Sequence, residues 1–218
     1  MPWYDIFAHF YDHTVELVYR SYRQKIVEGL KLQPGDMVMD LACGTGPNQP
    51  WIREAVGPEG RIFGVDFSAG MLAQATKQKK QNGWENVFLL ERDARKLLHR
   101  DLEEVSGKPV QLNAILVTLG LSAIPDWETV FQNTFQLLAP HGRYVIFDIH
   151  QERWVPQSWV VKKIAQADLL RQSWIALENC SENFSFEYLS GSPHIHGGRP
   201  FLAIGSRPEK KEGKNQQD

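Results

Sequence analysis

Three aspartates that each follow a short apolar run are the residues of this chain best placed to do chemistry. Asp40 ends the run MVMD, Asp66 ends RIFGVD, and Asp93 follows VFLLER. Such runs are typical of buried parallel strands, whose C-terminal ends meet at the edge of a sheet where ligands bind. Asp66 lies about twenty residues beyond the first turn, where a carboxylate can accept both ribose hydroxyls. The three acids therefore predict a nucleoside-binding edge, with Asp93 near the amino group of the base.

A glycine-rich turn follows the first of these acids. Gly44 and Gly46 lack a Cβ at the point where the backbone turns sharply and a ligand approaches it. Asn48 is expected to cap the helix that follows. A dinucleotide fingerprint, G-x-G-x-x-G, would need glycine at the position of Gln49, and Asp40 would repel a diphosphate. A cofactor that carries positive charge is therefore favoured, and a nicotinamide-dependent oxidoreductase is the second hypothesis.

Strands and helices alternate along the chain as in a doubly wound α/β domain. Beyond the strands that end in the acids, further strands are predicted at 114–119, 143–148, 184–188 and 201–204. We expect a Rossmann-like sheet of seven strands, mostly parallel with an antiparallel terminal hairpin, and helices on both faces. Ser68 should cap one helix, Gly142 should end another that starts near Trp127, and a third is predicted at 164–177.

The length of 218 residues suits one sizeable domain better than two. We assign residues 1–207 to this domain. Within it, residues 1–32 are expected to form an N-terminal lid and helix, and residues 151–182 a substrate-facing insertion. Residues 208–218 are charged and lack apolar side chains, so they are expected to be a disordered tail.

Charge and cysteine content restrict the partners. Lys and Arg number 24 against 26 Asp and Glu, a net charge of −2, so nucleic acid is not the expected partner. The two cysteines form no disulfide framework, and His194 and His196 lack a third ligand, so no metal is expected. With no apolar run of membrane-spanning length and no signal peptide, the expected location is the cytoplasm. Basic and tryptophan residues after His150 leave peripheral membrane contact as an alternative.

The stretch DLACGTG at 40–46 resembles the first motif of class I S-adenosylmethionine-dependent methyltransferases. The resemblance covers roughly residues 33–148 and implies that the first loop holds the methionine part of the cofactor, the second acid the ribose, and the later Asp-Ala pair the adenine. The family order also places the seventh strand inside the sheet. The cofactor-binding residues expected on this basis are Asp40, Ala42, Gly44, Thr45, Gly46, Asp66, Phe67, Met71, Asp93, Ala94, Thr118 and Leu119.

The stretch LSAIPDW at 121–127 bears on the methyl acceptor. It resembles the corresponding stretch in bacterial phospholipid N-methyltransferases, and quinone-biosynthesis C-methyltransferases are similar over the same region. The Asn/Asp-Pro-Pro-aromatic motif of enzymes that methylate DNA amines does not occur there. The resemblance implies a small-molecule or lipid-like acceptor, with N-methylation favoured over C- or O-methylation.

Two aromatic-rich segments are expected to enclose that acceptor. The N-terminal segment can close as a lid, and the segment after the fifth strand can supply apolar walls, although ordinary core packing would explain both. Tyr11 and His150 are the candidates for proton transfer at the acceptor. A protein that binds the cofactor without catalysis is the third hypothesis. The aromatic residues concerned are Trp3, Tyr4, Phe7, Phe10, Tyr11, Trp154, Trp159 and Trp174.

Overall fold

The computed structural model describes residues 18–152, 158–159, 162–163 and 166–209. Residues 18–30 form helix α1. The elements that follow are β1 (Met37–Leu41), α2 (Gln49–Val56), β2 (Arg61–Asp66), α3 (Ala69–Gln81), β3 (Val87–Glu91), a 3-10 turn (Ala94–Lys96), α4 (His99–Ser106), β4 (Leu112–Thr118), α5 (Trp127–Phe135), β5 (Leu138–His150), α6 (Trp174–Cys180), β6 (Glu182–Tyr188), α7 (Pro193–His196) and β7 (Arg199–Ser206).

The strands form one sheet in the order β3-β2-β1-β4-β5-β7-β6. The first five are parallel, and β7 runs antiparallel to both β5 and β6. The central strands are buried on both faces, which is why β1 and β4 are apolar almost throughout. The prediction of seven strands with an antiparallel end is confirmed, as is the position of β7 inside the sheet.

A hydrophobic core lies on each face of the sheet. On one face α4, α5 and α6 pack against β-strand residues such as Phe63, Tyr144 and Phe201. On the other face α1 and α2 pack against strand residues that include Val145 and Phe147. Successive residues of β5 thus serve opposite cores, as the period of two in a strand requires. Helices on both faces of the sheet confirm the doubly wound architecture.

Two sequence-based boundaries are wrong. Helix α5 ends at Phe135, and Gly142 lies inside β5, because β5 begins at Leu138 and continues to His150. Backbone bonds to Arg207 extend the pairing there, with His141 N donating to Arg207 O and Arg207 N donating to Gly142 O, each at 2.8 Å. This pairing satisfies backbone groups that a longer helix would have used.

The predicted helix at 164–177 is also wrong in its extent. Residues 166–168 have no regular structure, and α6 begins only at Trp174. Asp168 N donates to Ser122 O at 2.8 Å, and Arg171 Nη1 donates to Leu121 O at 2.8 Å. These contacts to the loop after β4 hold the segment in a non-helical path.

The N-terminal lid, Tyr11, Trp154 and most of the tail lie outside the described residues, so the predictions about them stay predictions. In the described part of the chain, no helix has the length and apolar character needed to cross a membrane.

Candidate functional site

The turn after β1 lies between the C-terminal ends of β2 and β4. Leu41 pairs with Val65 on one side and Val117 on the other. The turn takes a left-handed backbone at Ala42 (φ 53°), Gly44 (φ 55°) and Gly46 (φ 85°). A left-handed alanine is costly and is found where the surroundings enforce it. The expected turn is therefore present, and it is strained at its first residue.

Asp66 holds this turn against the end of β2. Its Oδ2 accepts a hydrogen bond from Gly44 N at 2.8 Å, and its Oδ1 accepts one from Ser68 N at 2.9 Å. Burial raises the pKa of this carboxyl, and the backbone donors oppose that effect. The backbone of Phe67 is a third donor to this carboxylate. A carboxylate has about four acceptor sites, so one site is left. Asp66 therefore positions the turn and retains capacity for a ligand hydroxyl.

Asp40 is fully buried, and one of its oxygens lacks a partner in the described part of the chain. Oδ1 accepts from Asn48 Nδ2 at 3.0 Å. Oδ2 makes no hydrogen bond to any part of the chain that the structure describes. Burial is the main reason that the pKa of Asp40 rises to about 7, while Asn48 and Arg23 oppose the rise. An unpartnered buried carboxylate oxygen is unfavourable by itself and suits a site that receives a cation.

Asn48 occupies the N-cap position of α2, as expected, but the expected capping bond is wrong. Its side chain makes no capping bond to α2 in the described structure. Instead Nδ2 donates to Asp40 Oδ1 and, at 3.1 Å, to Thr118 Oγ1. Asn48 Oδ1 in turn accepts from Arg23 Nη1. The residue thus links β1, β4 and α1 beneath the turn.

Arg23 is a component of the site that the sequence reasoning missed. It lies in α1 and is only 2% exposed. The signal was available, because Arg23 falls on the same helical face as Tyr19, Ile26 and Leu30, which are all buried. A charged residue in an apolar stripe is rarely buried unless it is paired.

Gln49, which stands where a dinucleotide fingerprint would have its third glycine, is also fully buried. Two glycines leave space for its side chain. A Cβ at Gly46 would lie 2.7 Å from Gln49 Cδ, and a Cβ at Gly64 of β2 would lie 2.9 Å from Gln49 Nε2. Both amide atoms of Gln49 lack hydrogen-bond partners among the described residues. Gly64 of β2 therefore permits the close packing of helix on strand that a glycine at position 49 of α2 would otherwise permit.

The predicted adenosine side of the site is more open. Phe67 follows Asp66 and is 51% exposed. Ser68 caps α3 by accepting from Met71 N at 3.3 Å, which confirms the cap, and Met71 is buried. Asp93 accepts from Arg95 Nη2 at 2.6 Å and from Arg95 Nε at 2.9 Å, so the pKa of Asp93 is lowered. Ala94 begins the 3-10 turn next to it.

The loop after β4 is anchored through Asp148. Its Oδ2 accepts from Ser122 N at 2.9 Å, and its Oδ1 accepts from Ser122 Oγ at 2.7 Å and from Ile149 N at 2.8 Å. Leu119, at the start of the loop, has φ 55°, and a Cβ at Gly120 would lie 2.9 Å from that of Ala42. The loop that contains LSAIPDW therefore abuts the glycine turn in a fixed position.

His150 lies at the end of β5 in an aromatic cluster. Its Nδ1 is 2.8 Å from Tyr188 Oη. Its ring packs edge to face against Trp174, with 4.9 Å between the ring centroids. Burial lowers the pKa of His150, which keeps the imidazole neutral at physiological pH. Trp174 also packs against Phe201 at 4.9 Å and so belongs to the core of the sheet. Trp159 differs, since it is 61% exposed with Lys163 Nζ 5.0 Å from the ring centroid.

The structure thus brings Asp40, Asp66, Thr118 and the turn together, with Phe67 and Asp93 at the open side. His150, the last residue of β5, contacts Trp174, which packs on the face of the sheet that α4, α5 and α6 cover. His196 is buried against the ring of Tyr19, 5.1 Å away. Across the described residues, no three His, Cys, Asp or Glu side chains are grouped as a metal site would require.

Known proteins share both sequence and fold with this chain. A demethylmenaquinone methyltransferase from Oceanobacillus iheyensis is 30% identical over 133 residues, which are 61% of this chain and 52% of that protein. The chain spans about half the length of the curated relatives it matches.

Two solved structures match across most of the chain. One is a methyltransferase in complex with the Haloferax volcanii Trm112 methyltransferase activator, with TM-score 0.72, 14% identity, and 94% of this chain and 98% of that chain covered. The other is phosphoethanolamine N-methyltransferase 2 of Haemonchus contortus in complex with phosphomonomethylethanolamine and S-adenosylhomocysteine. Its TM-score is 0.68 at 14% identity, with 87% of this chain and 53% of that chain covered.

The profile of one family, described as Methyltransferase domain, matches residues 32–187, a segment that contains the glycine turn and strands β1 to β5. The chain therefore belongs to the methyltransferase domain family.

Proposed function

We propose that this chain transfers a methyl group from S-adenosylmethionine to a small-molecule or lipid-like acceptor. The observation that carries the proposal is the buried Oδ2 of Asp40 beside the glycine turn, which has no hydrogen-bond partner among the described residues. The cofactor carries an ammonium group and a sulfonium, and a buried carboxylate with a free oxygen is matched to such a cation. A dinucleotide would bring phosphates toward this carboxylate, so the nicotinamide hypothesis is weakened.

The residues along the sheet edge fit the remaining parts of the cofactor. Asp66 retains acceptor capacity for a ribose hydroxyl, and Phe67 offers an exposed ring on which adenine can stack. Asp93 is already paired with Arg95, yet its carboxylate can accept one further bond from the adenine amino group. The residues assigned to the methionine part are Asp40, Ala42, Gly44, Thr45, Gly46, Thr118 and Leu119, and those assigned to adenosine are Asp66, Phe67, Met71, Asp93 and Ala94.

When bound, the cofactor supplies an electrophilic methyl group. The chain then has to align the acceptor with that group and to exclude water, because alignment supplies most of the rate. An amine acceptor also has to lose a proton. His150 is neutral and Tyr11 precedes the described residues, and we keep both as the candidates for that step.

The finer proposal for the acceptor is N-methylation, with C- or O-methylation of an isoprenoid or aromatic compound as the second candidate. LSAIPDW supports the first, and its loop is fixed next to the turn by Asp148. A relative named demethylmenaquinone methyltransferase supports the second. The N-terminal segment would cover the acceptor as a lid, and Trp159 beside Lys163 would suit contact with an anionic surface.

Two measurements test this function. Calorimetry should show binding of S-adenosylhomocysteine and none of NAD, and the reverse result would contradict the proposed cofactor. Transfer of a labelled methyl group should then be followed with phosphatidylethanolamine vesicles and with demethylmenaquinone as acceptors. A product with the label on nitrogen would support the first candidate and a label on carbon the second. Binding without transfer to any acceptor of either class would favour the non-catalytic hypothesis.

A further inference from the structure

We propose that Arg23 is a positioning residue of the cofactor site, acting through Asn48 on Asp40, and that it couples the docking of α1 to cofactor binding. Arg23 precedes the segment that matches the family profile, residues 32–187, so nothing in that match assigns it a role. The proposal rests on the proposed function, because it concerns the same cofactor.

The first argument is the orientation of the Asn48 side chain. A primary amide can be rotated by half a turn at little cost unless its neighbours distinguish oxygen from nitrogen. Arg23 can only donate, so the bond from its Nη1 requires Oδ1 of Asn48 on that side. The amide nitrogen must then face Asp40 Oδ1 and Thr118 Oγ1, which lie 3.0 and 3.1 Å away. The rotated amide would place its oxygen against the carboxylate, so Arg23 and Asp40 favour the same orientation of Asn48.

The second argument is the balance of charge around Asp40. Arg23 on α1 is the cation that favours the ionised carboxylate, and Asp66 at the end of β2 disfavours it. Cys43 in the turn is also buried, and burial together with the two acids raises the pKa of its thiol well above the ordinary value, so it stays neutral. Thr118 on β4 and Asn48 contribute no charge. Among the described residues, Arg23 is thus the group that opposes the desolvation of Asp40 by its charge.

The third argument concerns how α1 is held. Arg143 Nε of β5 donates to Gly29 O at 2.8 Å, and Tyr22 Oη donates to Ser190 O at 2.6 Å. These contacts dock α1 on the sheet independently of the turn. Arg23 adds a contact whose strength depends on the charge of Asp40. Arg23 and a cation bound at Asp40 both stabilise the ionised carboxylate. Where Asp40 is partly protonated, near pH 7, cation binding and the docked state of α1 therefore favour each other, and this coupling is necessarily reciprocal.

The experiment measures binding of S-adenosylhomocysteine to the full chain between about pH 6 and about pH 9, a range that brackets the titration of Asp40. The variants are Arg23→Met, Arg23→Lys, Asn48→Leu and the double variant Arg23→Met with Asn48→Leu. The matched control is Arg20→Met, which removes the same charge from an exposed position of α1. Thermal unfolding without ligand identifies the conditions under which each variant is folded.

We expect Arg23→Met to weaken binding roughly tenfold to a hundredfold near neutral pH, because a smaller fraction of Asp40 is ionised without Arg23 and each unit by which the pKa rises lowers that fraction by up to tenfold. The pH below which binding is lost should move upward, because the pKa of Asp40 rises when the charge of Arg23 is removed. Arg23→Lys should keep the pH of that transition close to that of the unmodified chain. The double variant should bind no more weakly than the weaker single variant, and Arg20→Met should bind like the unmodified chain.

A loss of affinity that is equal at every pH, or additive effects of Arg23→Met and Asn48→Leu, would show a general structural role and overturn the proposal. If Arg23→Met does not fold, Arg23→Lys and Asn48→Leu decide. A transition pH that stays in place for Arg23→Lys and moves upward for Asn48→Leu supports the proposal, and any other pair of profiles overturns it. Unchanged binding by Arg23→Met would overturn the role of Arg23 alone. No binding by the unmodified chain would instead overturn the proposed cofactor, and the role of Arg23 with it.

Discussion

Two buried aspartates at the same edge of the sheet have opposite surroundings. The turn side comprises the ends of β1 and β2 with residues 42–48, and the loop side comprises the ends of β4 and β5 with residues 119–126. Asp40 on the turn side has one bonded oxygen and one unpartnered oxygen within the described structure. Asp148 on the loop side accepts three hydrogen bonds. The first arrangement suits a ligand, whereas the second stabilises the fold.

This difference explains why burial alone does not identify a functional acid. Burial raises the pKa of both groups. At Asp148 the donors recover part of that cost, and they fix the loop next to the turn. At Asp40 the hydrogen bond from Asn48 and the charge of Arg23 recover a smaller part of that cost, and a bound cation would recover more. Buried polar groups without hydrogen-bond partners are expected at functional sites, where a ligand supplies the missing partner.

The strongest test of the comparison is Asp40→Asn. The new amide can still accept from Asn48, and it removes the buried charge, so we expect the folded state to become more stable while affinity for S-adenosylhomocysteine falls by about a hundredfold. From a pKa of about 7 against an ordinary value of 3.8, the gain in unfolding free energy at high pH is about 4 kcal/mol at most. Urea unfolding and calorimetry on the same samples measure both effects.

The same substitution makes a prediction about pH. The pKa of Asp40 is raised in the folded chain, so the unfolded state ionises first and this group destabilises the fold as pH rises from about 4 to about 7. Above about pH 7 its penalty is constant. The difference in unfolding free energy between Asp40→Asn and the unmodified chain should therefore grow across that window and then level off. A difference that is independent of pH would contradict the buried, unpartnered state of Asp40.

Asp148→Asn should have the opposite effect on stability. The amide oxygen can accept from Ser122 Oγ and Ile149 N, but the amide nitrogen then faces Ser122 N, which is also a donor. We expect a loss of about 3 kcal/mol in unfolding free energy, with ligand affinity unchanged below the unfolding transition. Asp40→Asn serves as the matched control. Equal stability changes in the two variants would remove the distinction between the turn side and the loop side.

Sequence reasoning predicted the turn side and the sheet well because their signals are local. Apolar runs that end in Asp40 and Asp66 mark strands, and Gly44 and Gly46 adopt the left-handed backbone that glycine permits. The antiparallel end of the sheet followed from the alternation in β6. These features depend on period and backbone conformation, which neighbouring residues determine.

The partners of Asn48 could not be predicted in the same way. As an N-cap it should bond its own helix, but bonds to Asp40, Thr118 and Arg23 take precedence, and these residues are distant in sequence. The start of β5 at Leu138 likewise depends on pairing with β4 and on bonds to Arg207. Tertiary contacts decide such cases, and propensity is only a weak guide to them.

Asp66→Ala should show an intermediate effect, because Asp66 serves both the ligand and the turn. Loss of a charge-assisted contact to the ribose should weaken binding by about 1.5–3 kcal/mol. The variant also leaves Gly44 N and Ser68 N without their acceptor, so some loss of stability is expected. Glu91→Ala is the control, since Glu91 is exposed and pairs with Asp66 in the sheet. Binding by Asp66→Ala as tight as by that control would remove Asp66 from the site.

The smallest effect on stability is expected at Trp159, which is exposed and apolar, unlike the two buried aspartates. Trp159 is largely exposed and carries Lys163 over its ring, so Trp159→Ala should change unfolding free energy by less than about 0.5 kcal/mol. Its effect on vesicle binding should be larger. Pelleting with anionic vesicles at low salt should decrease in this variant and in Lys163→Gln, since a tryptophan ring and a lysine together favour binding to an anionic membrane surface. Pelleting that neither substitution changes would leave a soluble acceptor as the better interpretation, while the predictions for Asp40 and Asp148 would stand unaffected.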